Sequence, residues 1–122
     1  MKRSGARELA FKLIYSRFFN AEPEDLQVED GDSFKFITRI LETFSEHCSE
    51  INEIISNNLK GYTIQRLFKL DLAILTLAVI ELNFIKETPK EVIINEAVEL
   101  AKKYSTEKSP RFINGVLADI VK

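Results

Sequence analysis

The most apolar part of the sequence is residues 67–84, and between Leu72 and Leu82 the only polar residues are Thr76 and Glu81. A helix that is apolar on almost every side belongs at the centre of a helical bundle, where neighbouring helices cover it. Its two strictly apolar stretches, Leu72 to Leu75 and Leu77 to Ile80, are separated only by Thr76, and together they span about nine residues, whereas a membrane span needs roughly 20. We therefore expect a buried central helix and no transmembrane helix.

The segments before this helix carry the apolar spacing of amphipathic helices. In residues 5–20 apolar side chains recur every three or four positions, at Leu9, Ala10, Leu13, Ile14 and Phe18. The same spacing continues in the next segment, at Phe34, Ile37, Leu41, Phe44, Cys48, Ile51 and Ile55. Ser33 is a candidate cap for that segment, and the spacing fits either one helix or two helices with a break near Ser49.

Two cap-plus-proline signals, at residues 88–89 and 109–110, predict the starts of two further helices, the first of which runs to about Tyr104. The acidic residues 21–32 include a proline and a glycine, which predicts the longest loop. The sequence therefore predicts an all-α fold of five to seven helices.

The size and composition fit one domain over residues 1–122. The chain has 122 residues, of which 45% are hydrophobic and 30% charged, as is typical of a compact globular domain. Cys48 is the only cysteine, so it cannot form an internal disulfide, and the first residues lack a signal peptide. We expect a cytoplasmic protein.

The inventory of reactive side chains argues against an enzyme. The only histidine, His47, is next to Cys48, and neighbouring helical side chains point about 100° apart, so the two cannot act as base and nucleophile. They also provide too few ligands for a typical zinc site, and the four glycines are too far apart for a phosphate-binding loop. We expect no catalysis, no metal and no cofactor.

The charge distribution points to nucleic acid. The net charge is −2, yet residues 1–20 contain five basic residues and one acid. Arg3 and Arg7 are four residues apart, and the same helical row continues to Phe11 and Tyr15. Arginine neutralises phosphates and aromatic rings stack on bases, which suits single-stranded RNA. The alternative is that the rings belong to the core and the arginines face water.

Several motifs together resemble one family. The stretch Asn-Glu-Ala-Val-Glu-Leu-Ala-Lys at residues 95–102, Ser109, and Phe-Ile-Asn-Gly-Val-Leu at residues 112–117 resemble the C-terminal signature of the NusB family of bacterial transcription antitermination factors. Ala-Arg-Glu at residues 6–8 and Tyr15 resemble its first helix, and residues 71–82 its central helix. Residues 20–59 agree only in apolar pattern.

This resemblance implies an all-helical fold of two small helix bundles, with about seven helices and no enzymatic activity. Members of the family pair with the ribosomal protein NusE and bind boxA, a single-stranded element of nascent ribosomal RNA transcripts. The complex helps RNA polymerase to resist termination. Some relatives form homodimers, so the resemblance also leaves a homodimer open.

The resemblance also implies site residues. Its RNA surface corresponds here to the N-terminus and the start of the last helix, namely Lys2, Arg3, Arg7, Tyr15, Lys108, Arg111 and Phe112. Its NusE-facing acid corresponds to Asp71. From the residues alone, Tyr15 and Phe112 either stack on bases or support the basic helix, and Asp71 either contacts NusE or favours the dipole of its own helix. A competing function is a helical interaction or regulatory module, similar to the domain that precedes RNA cytosine methyltransferases.

Overall fold

The computed structural model describes residues 1–20 and 26–122, in which five α-helices and no strands occur. The helices are α1 (Arg3–Arg17), α2 (Gly31–Asn57), α3 (Lys69–Val79), α4 (Lys90–Tyr104) and α5 (Ser109–Ile120). A 3₁₀ turn at Ile64–Arg66 precedes α3, and a π-helical turn at Ile80–Ile85 continues it. The all-α prediction is confirmed. The expectation of about seven helices is wrong, because these two short turns are not independent helices.

Helix α3 is the central helix. Every residue of α3 from position 71 onward is buried, as its sequence predicts. Helices α1 and α2 pack on α3 and on each other, and α4 and α5 also pack on each other and on α3. These two groups therefore share one continuous core. None of the helices in the described residues is long and apolar enough to cross a membrane.

The structure shows whether the apolar spacing of α2 belongs to one helix or to two. One helical segment covers the stripe, but His47 has non-helical angles (φ −121°, ψ 23°) and kinks it two residues before Ser49. Its cap is Asp30, whose side chain accepts from the backbone N–H of Asp32 at 3.1 Å. The Ser33 cap is therefore wrong, since the Ser33 hydroxyl donates to Asp30 instead, at 2.8 Å.

Two further boundaries differ slightly from the sequence prediction. Helix α4 begins at Lys90, and Thr88 makes no capping hydrogen bond. Helix α5 begins at Ser109 itself, with Lys108 before it as the N-cap. Part of the predicted acidic loop, residues 21–25, lies outside the described residues.

Candidate nucleic-acid interface

The basic N-terminus of α1 lies against the start of α2. Lys2 and Arg3 are exposed. Arg3 Nη2 lies 3.3 Å from Asp32 Oδ2, and the Arg3 guanidinium lies 4.1 Å from the centre of the Phe36 ring. The terminal amine of Met1 pairs with Asp30 at 3.3 Å. Exposed ion pairs of this kind are weak and screened by salt, so a phosphate can replace the carboxylate.

Arg7 does not belong to this exposed surface. It is 4% exposed. Its Nε donates to Glu81 Oε2 at 2.8 Å, and its Nη2 donates to Glu81 Oε1 at 3.0 Å and to Thr88 Oγ1 at 3.3 Å. The guanidinium is thus already paired inside the protein. The expectation that Arg7 neutralises RNA phosphate does not fit this geometry, and we remove it from the contact set.

The aromatic row of α1 is divided between the core and the surface. Phe11 is buried and its ring lies 5.3 Å from that of Tyr104. Tyr15 is half-buried, with its ring 6.5 Å from that of Phe11 and 5.1 Å from that of Phe19. Tyr15 thus packs on the core and also reaches the surface. Along α1 it lies roughly 18 Å from Arg3, at a rise of about 1.5 Å per residue.

The remaining predicted RNA residues lie together at the start of α5. Lys108 and Arg111 are exposed, and neither forms an ion pair within the described residues. Phe112 is half-buried, and its ring lies 5.8 Å from that of Tyr62 in an edge-on arrangement. Lys108 and Phe112 border a groove of about 170 Å³ between the start of α5 and the segment that leads into α3.

Asp71 lies within the same groove. It is 4% exposed, and its Oδ1 accepts a hydrogen bond from Ser105 Oγ at 2.6 Å. It stands in the first turn of α3, where a carboxylate stabilises the positive end of the helix. A partner protein would have to reach into the groove to touch it, so contact with NusE at Asp71 stays a prediction that this burial does not favour.

Three further residues line this groove that neither the spacing nor the family motifs predict, Tyr62, Arg66 and Phe68. Tyr62 and Phe68 are 57% and 63% exposed, unusually high for large aromatic side chains. Arg66 is exposed and makes no ion pair within the part of the chain that the structure describes. In the sequence, Arg66 lies between Tyr62 and Phe68 in the short connection before the apolar segment. This combination of a basic and two aromatic residues is the signal by which the sequence could have indicated the groove.

The exposed side of α1 that faces α4 is held by charge pairs. The Lys103 ammonium donates to Glu8 Oε1 at 2.8 Å, and the Tyr104 hydroxyl donates to the same oxygen. The hydrogen bond from Lys103, and then that from Tyr104, lowers the pKa of Glu8 below its ordinary value of 4.5. The same contact raises the pKa of Lys103 above 10.5. Lys103 is therefore occupied by Glu8.

The described residues contain no group of three or more His, Cys, Asp and Glu side chains arranged to hold a metal ion. Cys48 is half-buried on α2, and the ring of His47 lies 4.7 Å from that of Phe84.

Comparison with known proteins places this geometry in a family. The model of the NusB family matches residues 4–122. The transcription antitermination protein NusB of Finegoldia magna (strain ATCC 29328 / DSM 20472 / WAL 2508) is 41% identical over 130 aligned positions, which include 100% of this chain and 95% of the relative. NusB of T. maritima has 32% identity and a TM-score of 0.91, with 98% of this chain and 90% of that one covered. A crystal structure of antitermination factors NusB and NusE in complex with dsRNA has 31% identity and a TM-score of 0.86, with 97% and 94% covered.

Proposed function

The chain belongs to the NusB family, and from that premise we propose how it acts in transcription antitermination. We propose an RNA-binding factor that is not an enzyme, with RNA and NusE as its partners, as in the related crystal structure. The family resemblance adds the RNA polymerase antitermination complex to these partners. The resemblance in its motifs specifies the RNA further as a boxA-type single strand, whereas the related NusB–NusE crystal structure contains double-stranded RNA. The form of RNA that this chain prefers is therefore part of the proposal.

The cluster at the start of α5 supports this proposal best. Three exposed cations, Arg66, Lys108 and Arg111, lie on the groove or next to it and have no acidic partner within the described residues. Phe112 contributes an aromatic ring at the same place. Cations attract the phosphates of an RNA strand, and aromatic rings accept its unstacked bases. Lys2 and Arg3 provide a second contact region at the N-terminal end of α1, and Tyr15 lies roughly 18 Å farther along the same helix.

NusE is the protein partner in this proposal. A partner that also holds the strand adds its own contacts, which increases the affinity of the complex for RNA. We also propose that the chain acts as one domain over residues 1–122 and works in the cytoplasm, where nascent transcripts are made. The methyltransferase-related module draws no support from these relatives, which are NusB proteins covered over most of their length.

The test is fluorescence anisotropy of a labelled single-stranded boxA-type RNA titrated with the protein, with and without NusE. A scrambled strand and a duplex of the same sequence serve as controls. We expect tighter binding to the boxA-type strand when NusE is present. Equal affinity for the boxA-type and scrambled strands, with NusE bound, would contradict sequence-selective binding. A preference for the duplex would replace the single-stranded form by the double-stranded one.

A further inference from the structure

The groove between α3 and α5 has the size and lining of a site for one nucleotide. Its volume is about 170 Å³, well below the roughly 300 Å³ at which pockets for drug-sized ligands begin. The aromatic rings of Tyr62, Phe68 and Phe112 line it, and the first two are more than half exposed. Such a groove has room for a single planar ring system and offers faces on which that ring can stack.

Positive charge lies at the rim of the groove. Arg66 and Lys108 line it, and neither is paired with an acid within the described residues. Phe68 and Lys108 are also the N-caps of α3 and α5, and no side chain caps either helix there. The positive end of α5 therefore adds to the two side-chain charges, whereas the positive end of α3 already has the Asp71 carboxylate in its first turn. Together they favour an anionic group at the rim.

The floor of the groove carries a negative charge, from the carboxylate of Asp71. Asp71 is 4% exposed, and only its Oδ1 has a donor, the hydroxyl of Ser105. In the described residues the one fully buried side-chain oxygen or nitrogen without a hydrogen-bond partner is Thr76 Oγ1. Asp71 Oδ2 has no hydrogen-bond donor among the described residues and is not fully buried, and Asp71 is one of the residues that line the groove. A carboxylate oxygen in this position accepts a hydrogen bond from an amino group and repels a carbonyl oxygen.

We propose that this groove binds one unstacked RNA nucleotide and selects a base that carries an exocyclic amino group. The phosphate lies at Arg66 and Lys108, the base stacks on the aromatic side chains, and its amino group donates to Asp71 Oδ2. Adenine, cytosine and guanine have such a group, whereas uracil has none, and its N3–H donor lies between two carbonyl oxygens that the carboxylate repels. The proposal rests on the proposed RNA-binding function and gives Asp71 a role in reading the base.

The first experiment compares groove variants in the anisotropy assay with the boxA-type strand. Tyr62→Ala removes a stacking face, which is expected to weaken binding at least about fivefold. Arg66→Ala removes one phosphate contact and is expected to reduce the slope of log affinity against log salt by about 0.7. Phe34→Ala and Lys90→Ala are matched controls, since these exposed residues lie elsewhere, on α2 and at the start of α4. Both controls are expected to bind like the wild type.

The second experiment tests the base preference. Each position of the strand that is not uracil is replaced in turn by uracil, and the affinity is measured for the wild type and for Asp71→Asn. We expect one position at which uracil weakens wild-type binding about tenfold, the usual size of a mismatch at a read base. The asparagine amide both donates and accepts, so in Asp71→Asn this penalty is expected to fall below about threefold. Circular dichroism and thermal unfolding check that each variant is folded.

The outcomes separate this proposal from the function on which it rests. If the wild type selects the boxA-type strand but the groove variants bind like the controls, the nucleotide site is wrong and the RNA-binding function stands. If the wild type binds no RNA even with NusE, both fall. If Tyr62→Ala and Arg66→Ala lose NusE on gel filtration, while RNA affinity without NusE is unchanged, the groove is a protein-binding surface and the proposal is overturned.

Discussion

The guanidinium of Arg7 and the carboxylate of Glu81 form a two-point ion pair, at 2.8 and 3.0 Å, although 74 positions separate them in the sequence. Their side chains are only 5% and 3% exposed. The pair joins the middle of α1 to the π-helical turn that continues α3. A second carboxylate, Glu96 on α4, lies 3.7 Å from Arg7 Nη1. Three elements of the bundle therefore meet at one buried positive charge.

Loss of one partner of this pair is expected to destabilise the protein strongly. Arg7→Ala leaves the Glu81 carboxylate buried without its counter-charge, and breaking a buried ion pair in this way costs about 3–5 kcal/mol. Urea unfolding followed by circular dichroism measures the change. The exposed Arg3→Ala is the control, with an expected change of less than about 1 kcal/mol. A similar free energy of unfolding for both variants would contradict a structural role for Arg7.

Replacement of both Arg7 and Glu81 tests whether the unpaired charge of Glu81 is what destabilises Arg7→Ala. An apolar double variant, Arg7→Met with Glu81→Leu, removes both charges and fills a similar volume, so it is expected to be more stable than Arg7→Ala by at least about 1 kcal/mol. The side chain of Glu96 is 23% exposed, so its carboxylate keeps contact with solvent in this variant. Urea unfolding of the two variants under identical conditions provides the comparison, and equal stability would show that the buried charge of Glu81 is not what destabilises Arg7→Ala.

The burial of Arg7 also shows where the sequence stops being informative. The helical spacing in residues 5–20 and the apolar run of α3 predict α1 and the central helix, because local periodicity reports which face is apolar. Spacing does not identify a partner 74 positions away, so it predicts an exposed Arg7, whereas Arg7 pairs with Glu81 inside the protein. The same limit applies to α2, where the spacing predicted Phe34 as core but Phe34 is 42% exposed and Phe36 is buried instead.

The candidate site also contains residues that the sequence predicts and residues that it does not predict. The family motif predicted Lys108, Arg111 and Phe112, and the structure brings them close together because they fall within about one helical turn of α5. The sequence contains Tyr62 in a basic-aromatic cluster, but the position of Tyr62 beside Phe112 depends on the tertiary packing of the segment before α3 against α5, which local spacing does not predict.

Thr76 provides a prediction of increased stability. Its hydroxyl is buried in α3 and is the one fully buried side-chain polar atom without a partner among the described residues. Thr76→Val keeps the shape and removes the unpaired group, so we expect a gain of about 1 kcal/mol and a melting temperature higher by roughly 4 °C. Thr43→Val is the matched control, because the Thr43 hydroxyl donates to the Arg39 carbonyl at 2.8 Å. Thermal unfolding of Thr76→Val at or below the wild-type temperature would contradict the prediction.

Two glycines are expected to respond in opposite directions to the same change. Gly61 has φ of +77°, which an alanine adopts only with strain, so Gly61→Ala is expected to lose about 1 kcal/mol. Gly115 lies within α5, and a Cβ there meets nothing within 4 Å. Gly115→Ala is therefore expected to gain about 0.5–1 kcal/mol from its better helix propensity. Chemical denaturation measures the free energy of unfolding of both variants, and each variant is the control for the other. If both free energies change in the same direction, either the strain at Gly61 or the helix-propensity gain at Gly115 is wrong.

The contact of Glu8 with Lys103 predicts a loss of stability in acid. The pKa of Glu8 is lower in the folded protein than its ordinary value of 4.5, because Lys103 and Tyr104 hydrogen-bond to the carboxylate. The stability that this provides is fully present above pH 4.5 and is lost as the pH falls through the folded value. The measurement is the urea midpoint of unfolding at pH 6 and at acidic pH. In Glu8→Gln we expect this midpoint to fall less between the two conditions than it does in the wild type. Glu42→Gln, on the exposed face of α2, is the control with an expected wild-type profile.

The salt dependence of RNA binding tests which cations touch the strand. Five phosphate contacts, from Lys2, Arg3, Arg66, Lys108 and Arg111, give an expected slope of about −3.5 for log affinity against log salt, at roughly 0.7 for each contact with a single strand. Lys108→Ala and Arg111→Ala are each expected to reduce the slope by about 0.7, whereas Lys103→Ala is expected to leave it unchanged, because Lys103 already pairs with Glu8 at 2.8 Å. Titrations of the boxA-type strand at several salt concentrations provide the slopes. A smaller slope in Lys103→Ala would mean that RNA displaces Glu8, and the contact region would then extend onto the face where α1 and α4 meet.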